Sequence, residues 1–201
     1  MSKGAGRWRR LAVALATATV ALPVLGVGQA DAALTCLNDT GGANDVAGQR
    51  DLTQFCADNA NFPISLSVTW NWDELSVSGK NTLDACSLFD TDLDGNANSA
   101  LCLTVASNGL ATTTLYTCGD GRPDRCSNPL SVAPSFASTC STSIQSTDPF
   151  PAGAGFPLDR VASCDVQLAD VGAGAVLINA CSYASQRPKS GPADCVVSSK
   201  P

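Results

Sequence analysis

The stretch "ISLSVTWNW", residues 64–72, places Ile64, Leu66, Val68, Trp70 and Trp72 at alternate positions, with Ser65, Ser67, Thr69 and Asn71 between them. Successive side chains of a β-strand point to opposite faces, so this period of two predicts a strand with one apolar, buried face and one polar face. On that reading Trp70 and Trp72 belong to a core. The competing reading is an exposed aromatic platform for a sugar, which requires both rings in solvent.

The same alternation recurs on either side. In "SALCLTV" (99–105) Leu101, Leu103 and Val105 face one way. "SNGL" (107–110) contains the Asn-Gly pair suited to a two-residue hairpin turn, and the threonine-rich "ATTTLYTC" (111–118) follows as the partner strand. "VASCDVQL" (161–168) alternates again, and "AVLINACSY" (175–183) has the length and apolarity of a buried strand. "RDLTQFCAD" (50–58) reads as a strand or a short helix. "GRPDRCSNPLSVAPS" (121–135) and "STDPFPAGAGFP" (146–157) are Pro/Gly loops. Several strands between turn signals predict an all-β fold, an antiparallel β-sandwich with long Pro/Gly loops.

The N-terminus has a different character. Lys3, Arg7, Arg9 and Arg10 precede an apolar run from Leu11 to Val27, and Ala30-Asp31-Ala32 offers small residues for cleavage. Residues 1–32 therefore read as a signal peptide, the alternative being an uncleaved anchor helix. The apolar stretch is short for a bilayer span and contains Pro23. The mature chain, residues 33–201, is expected to be a single secreted domain with no further membrane span. Without the leader's four basic residues and Asp31, the 12 basic and 18 acidic residues fall to 8 and 17, a net charge of −9. Such a surface repels nucleic acid and anionic membranes. Apart from Glu74, every acid is Asp, which favours turns over helices.

All ten cysteines lie in the mature region: Cys36, Cys56, Cys86, Cys102, Cys118, Cys126, Cys140, Cys164, Cys181 and Cys195. An even number in an exported chain reads as a disulfide framework. A thiolate metal site is the alternative, but there is no Cys-x-x-Cys pair and no histidine. Spacing suggests local staples, Cys36–Cys56, Cys86–Cys102, Cys118–Cys126, Cys140–Cys164 and Cys181–Cys195.

One stretch carries metal chemistry. In "FDTDLDGNANSALC" (89–102), Asp90, Asp92 and Asp94 alternate, Gly95 follows, and Asn96 and Asn98 add further oxygens. Calcium takes six to eight oxygen ligands, and its loops supply them at alternating positions around a glycine turn. Counting Asp90 as the first position, Asp92 and Asp94 are the third and fifth, Gly95 the sixth. Asn96 offers its backbone carbonyl and Asn98 an oxygen, directly or through water. The twelfth position, where a bidentate Glu would stand, is Leu101. A remote carboxylate must complete the shell: Asp73 and Asp84 are nearest in sequence, and Asp45 or Asp120 can arrive only through the fold. The expected ion is structural calcium held weakly, on the order of 10⁻⁴–10⁻³ M. The competing reading is an acidic turn that binds nothing.

The loop resembles the calcium loops of dockerins and thrombospondin type-3 repeats, over about nine residues. More broadly, "TGGANDVAGQRDLTQ" (40–54), "WNWDELSVSGKNTLDACSLFDTDLDGNANSALCLTV" (70–105), "CGDGRPDRC" (118–126) and "LINACSYASQRPKSGPADC" (177–195) resemble a cysteine-rich module of exported bacterial surface proteins. The resemblance implies a location more than a mechanism.

Catalytic triads are excluded by the lack of histidine, and oxidised cysteines are not nucleophiles. Asp73 and Glu74 could act as an acid–base pair on a sugar, but adjacent strand residues point to opposite faces. "CGDGRPDRC" reads as a turn locked by Cys118–Cys126 with exposed local ion pairs, or as a recognition tip displaying Asp120, Arg122, Asp124 and Arg125. The functional expectation is a calcium-stabilised structural or adhesive module whose partner is a surface protein or polysaccharide. A carbohydrate-binding sandwich comes second and a metal-dependent hydrolase third.

Overall fold

Ser65–Trp72 is the middle strand of a five-stranded sheet, and its alternation sets how that sheet packs. The computed structural model describes residues 34–39, 51–72, 82–119, 121–144, 160–184, 188–189 and 191–197, all within one compact unit, Asp31–Pro201. The expected leader, residues 1–32, and the loop 146–157 lie outside the described residues. In chain order the strands are β1 (Leu34–Asn38), β2 (Leu52–Asp58), β3 (Ser65–Trp72), β4 (Thr82–Asp90), β5 (Ser99–Ala106) and β6 (Ala111–Thr117). There follow β7 (Leu130–Val132), β8 (Thr139–Ile144), β9 (Arg160–Gln167), the one-turn helix α1 (Leu168–Val171), β10 (Val176–Ser182) and β11 (Asp194–Cys195). One sheet runs β1-β2-β3-β9-β8 and the other β11-β10-β4-β5-β6-β7. Every pairing is antiparallel. The fold is a disulfide-stapled antiparallel β-sandwich, and "RDLTQFCAD" resolves as strand.

The apolar faces of the two sheets meet in one core. Leu66, Val68, Trp70 and Trp72 from β3 join Leu83, Ala85 and Phe89 from β4 and Leu101, Leu103 and Val105 from β5. Trp70 and Trp72 have no solvent exposure and stack edge to face, with ring centroids 5.9 Å apart. Ile64 does not share their face. It ends a turn in which Asn61 O accepts from the N–H groups of Ile64 and Ser65, and it is 73% exposed. The period of two begins only where β3 begins.

The Asn108-Gly109 hairpin differs from the expected two-residue turn. Ala106 N donates to Leu110 O at 2.9 Å, so three residues lie inside the turn. Gly109 has φ +81°, whereas Asn108 is not among the left-handed residues. A type I′ turn needs positive φ at both central residues; a single left-handed glycine after a right-handed turn gives the three-residue loop with a bulge.

Five disulfides join the ten cysteines in sequential pairs: Cys36–Cys56, Cys86–Cys102, Cys118–Cys126, Cys140–Cys164 and Cys181–Cys195. Four of them link residues that face each other directly across an antiparallel ladder. Such a density of bridges fits an oxidising compartment. No helix among the described residues is long and apolar enough to cross a membrane.

Part of the outer face of the second sheet is buried as well. Cys86 and Leu88 of β4, Ala100 and Cys102 of β5, Tyr116 of β6 and Cys181 of β10 pack with Ala97, Cys126, Tyr183 and Cys195 in a second, smaller core. This explains why β4 is buried on both faces. A bulge in β10 between Leu177 and Asn179 turns Leu177 to the main core and Ile178 to the outer one, which breaks any alternation in "AVLINACSY".

Candidate metal centre

The eight residues between Asp90 and Ser99 connect neighbouring antiparallel strands, and the loop is shaped largely by the side chain of Asp90. Its Oδ1 accepts hydrogen bonds from Asp92 N at 3.0 Å and Leu93 N at 2.7 Å, and its Oδ2 accepts from Gly95 N at 2.7 Å. These bonds wrap the backbone around the carboxylate and require two left-handed residues, Leu93 at φ +65° and Gly95 at φ +89°. Burial works to raise the Asp90 pKa, yet the bonds from Gly95, Leu93 and Asp92 together outweigh it and hold the carboxyl below its ordinary value of 3.8. Asp90 stays ionised at neutral pH.

Asp90, Asp92 and Asp94 each offer a carboxylate oxygen, and the three oxygens lie within 4.8 Å of one another. Asp90 is buried; Asp92 and Asp94 are exposed. A carboxylate has about four lone-pair sites, and Asp90 uses three of them on backbone N–H groups. Asp94 accepts from its neighbour, from Asn96 N at 2.7 Å and Asn96 Nδ2 at 2.9 Å. The Asn96 side chain is thus a donor here, and the oxygen it can offer an ion is the backbone carbonyl. Asn98 spans the base of the loop. Its Oδ1 accepts from Thr91 N at 2.6 Å, its N–H donates to Phe89 O and its carbonyl accepts from Cys118 N, so it ties the two strand ends together. The carboxylates brought together in a group that could hold a cation are those of Asp90, Asp92 and Asp94.

Asp84 is not among the clustered carboxylates. It lies on β4 six residues before Asp90, roughly 20 Å along the strand at about 3.3 Å per residue. Its carboxylate accepts from the hydroxyls of Thr82 and, at 2.7 Å, Thr104. Burial raises its pKa and the two threonines oppose that rise without cancelling it. Asp73, Glu74, Asp45 and Asp120 lie outside the described residues.

"CGDGRPDRC" does not display all of its charges: Arg122 is exposed, Asp124 is not, and Asp120 lies outside the described residues. Asp124 is buried, and Arg125 grips it in a fork, Nε to Oδ1 at 2.8 Å and a terminal nitrogen to Oδ2 at 2.5 Å. The side-chain bond from Arg125 lowers the Asp124 pKa, against desolvation and with help from the charges of Arg125 and Arg122. Tyr183, which carries no signal in the sequence, donates its hydroxyl to Asp124 O at 3.0 Å beneath this pair, and burial pushes its pKa up. The segment lies over the outer core and buttresses the Asp loop: Arg122 O accepts from Ala97 N at 2.9 Å. Arg122 itself remains exposed.

A further buttress comes from Gly172, just after α1. A Cβ built there would meet Thr91 Cγ2 at 2.5 Å, and its φ of +127° is unsuited to other residues. No reading of the Asp-x-Asp-x-Asp motif points to this glycine, because the contact crosses about 80 residues of chain.

No protein-family model matches the sequence, and no curated protein or solved structure matches it either.

Proposed function

We propose that the mature chain is an exported structural or adhesive module of the cell surface or extracellular space, stabilised by one calcium ion at Asp90, Asp92 and Asp94. The observation that carries this reading is the convergence of three carboxylate oxygens within 4.8 Å in a short loop between two stapled strands. Three like charges so close repel one another unless a cation lies among them, and an all-oxygen site with exposed positions left for water suits calcium. The basic, apolar N-terminus and the five disulfides support export into an oxidising compartment. The resemblance to a cysteine-rich bacterial surface module supports a location on or outside the cell. A surface protein or polysaccharide is the proposed partner class.

The sandwich gives the carbohydrate reading no aromatic platform from Trp70 and Trp72, both fully buried. A hydrolase would need the ion in a cleft. One described cavity of about 240 Å³ is lined by Thr35, Phe62, Leu66, Leu168 and other mainly apolar residues, with none of the three aspartates in its lining.

The deciding experiment is a thermal melt of the oxidised mature protein in 10 mM calcium and in excess chelator, repeated for Asp92→Ala. A site half-saturated near 0.1 mM adds roughly 2.7 kcal/mol at that concentration, a rise of several degrees. Wild type should shift and the variant should not. Equal melting temperatures for wild type with and without calcium would sink the proposal.

A further inference from the structure

Each sheet of the sandwich ends in two edge strands, β1 and β8 in one, β7 and β11 in the other. An edge strand presents unpaired N–H and C=O groups that template a further strand unless something blunts them. β7 and β11 are only three and two residues long. β8 is closed by the opposite sheet. Cys140 faces Cys164 across the β8–β9 ladder with the Cα atoms 4.0 Å apart, the close spacing of a pair that exchanges no backbone hydrogen bonds. Its N–H and C=O therefore point away from β9, and both meet the hydroxyl of Thr113 on β6. Thr113 Oγ1 accepts from Cys140 N at 3.0 Å and donates to Cys140 O at 3.5 Å.

β1 repeats this arrangement without the closure. Cys36 faces Cys56 of β2 at the same Cα separation, 4.0 Å. Just past the strand, Asp39 N donates to Thr53 O at 2.8 Å. Thr35, Leu37 and Asp39 are thus bonded inward, and the N–H and C=O groups of Leu34, Cys36 and Asn38 point outward. Among the described residues, no backbone bond outside the ladders involves these three. Every residue of β1 is exposed, Leu34 by 67% and Leu37 by 42%. "LTCLN" also lacks the charges and proline that commonly protect an edge.

We infer that β1 is a dimerisation edge: a second copy of the chain lays its own β1 antiparallel along it, about a two-fold axis through Cys36. Two grounds favour a second copy over a peptide from another protein. The outward groups are placed symmetrically about Cys36, so the strand is its own complement. Cys36 pairs with its counterpart, and Leu34 pairs with Asn38 of the second copy. Three residues from each copy, each with one donor and one acceptor, make about six backbone bonds. Charge is the second ground. The mature chain has 8 basic and 17 acidic residues, yet the uncharged β1 lets two such copies meet with no like charges opposed, while offering nothing to select a basic or acidic peptide. The joined strands make one sheet of ten from two of five. Growth stops there, because an isologous pairing consumes the edge of both copies. Leu37, opposite the buried Phe55 in the ladder, comes beside Thr35 of the second copy and loses exposed surface. The Asp loop lies in the other sheet and takes no part.

Sedimentation of the oxidised mature protein from micromolar to about 1 mM tests the pairing, in calcium and in chelator alike. Its mass should rise from one copy to two and no further. Amide exchange supplies the site-specific reading. The N–H groups of Cys36 and Asn38 should slow as concentration rises, about tenfold when nine molecules in ten are paired, while those of Thr35 and Leu37 stay protected throughout. Leu34→Pro and Asn38→Pro each remove an outward donor and no donor to β2. Proline is tolerated at the first position of a strand, so Leu34→Pro should fold as the wild type does and remain a monomer. A wild type monomeric at every concentration overturns the inference. So do assemblies beyond two copies, dimers of Leu34→Pro as strong as those of wild type, or exchange at Cys36 and Asn38 that ignores concentration.

Discussion

At the scale of single residues, Asp90 has a role apart from the metal binding proposed for it, because three backbone N–H groups donate to it. Asp92 and Asp94 face solvent. In excess chelator, Asp90→Ala should lower the melting temperature clearly, whereas Asp92→Ala and Asp94→Ala should leave it unchanged or raise it slightly by removing a like charge. In calcium all three variants should lose the ion's stabilisation. Equal melting temperatures for the three in chelator would mean that the carboxylate of Asp90 does not shape the loop. Acid titration separates the carboxylates further, with opposite signs. Asp84 has a raised pKa, so the folded state binds its proton more readily than the unfolded state; stability then rises as pH falls from neutrality toward the ordinary value of 3.8. Asp90, Asp124 and Asp170 are held below 3.8. Their contribution is complete above that value and is lost as pH falls through their lower folded values. For Asp170, desolvation acts upward but is outweighed by bonds from Ser138, Phe136 and Ser135, which pin the segment before β8 to α1. Melting temperature against pH should therefore peak on the acid side of neutrality and drop steeply below about 3.8. Asp84→Asn should remove the rise and leave the drop, as a series of melts from neutral to acid pH would show.

At the scale of elements, the contact between Gly172 and Thr91 joins the segment after α1 to the Asp loop. Gly172→Ala places a methyl 2.5 Å from Thr91 Cγ2 and a side chain at φ +127°. The backbone part alone costs about 1–2 kcal/mol for an L residue at positive φ, and the clash adds to it. Thr91→Ser removes the methyl that is struck and leaves the backbone strained. The double variant should thus recover part of the loss in denaturant melts, and full additivity of the two substitutions would show that the residues do not touch. What could be read beforehand follows the same physics. β3 and β5 were legible because their core-facing sides, Leu66 to Trp72 and Leu101 to Val105, face the main core in strict alternation. β1, β7, β8 and β11 left no such trace: they are short or edge strands, and "LTCLN", "LSV" and "TCSTSI" are largely exposed. Within the candidate site, the three aspartates were legible from spacing alone. The bond from Thr91 N to Asn98 Oδ1 was not legible, because spacing alone does not record which backbone group a side-chain oxygen faces. The roles of Asp124, Tyr183 and Gly172 depend on contacts between distant segments, which no local pattern records.

At the scale of the molecule, the two cores share four strands, β4, β5, β6 and β10. β4 and β5 present Leu83, Phe89, Leu101 and Val105 to the core between the sheets, and Cys86, Leu88, Ala100 and Cys102 to the outer one. Neither core can open without exposing one face of strands that the other needs, so the two should melt together even though they are separate in space. The protein carries probes for both. Trp8 falls in the expected leader, so the tryptophans of the mature chain are Trp70 and Trp72, both in the main core, whereas its only tyrosines, Tyr116 and Tyr183, belong to the outer one. Tryptophan emission should begin blue-shifted, resist a neutral quencher and move red in one cooperative transition. Tyrosine signals in the near ultraviolet should change at the same denaturant concentration. Cutting one bridge of the outer core, with Cys118→Ala/Cys126→Ala, removes a short closed loop worth about 2.6 kcal/mol by chain entropy. Because the strands are shared, that loss should displace the tryptophan and tyrosine transitions equally. A tyrosine transition that precedes the tryptophan one would show instead that the outer core detaches alone, leaving the sandwich to stand on its inter-sheet packing.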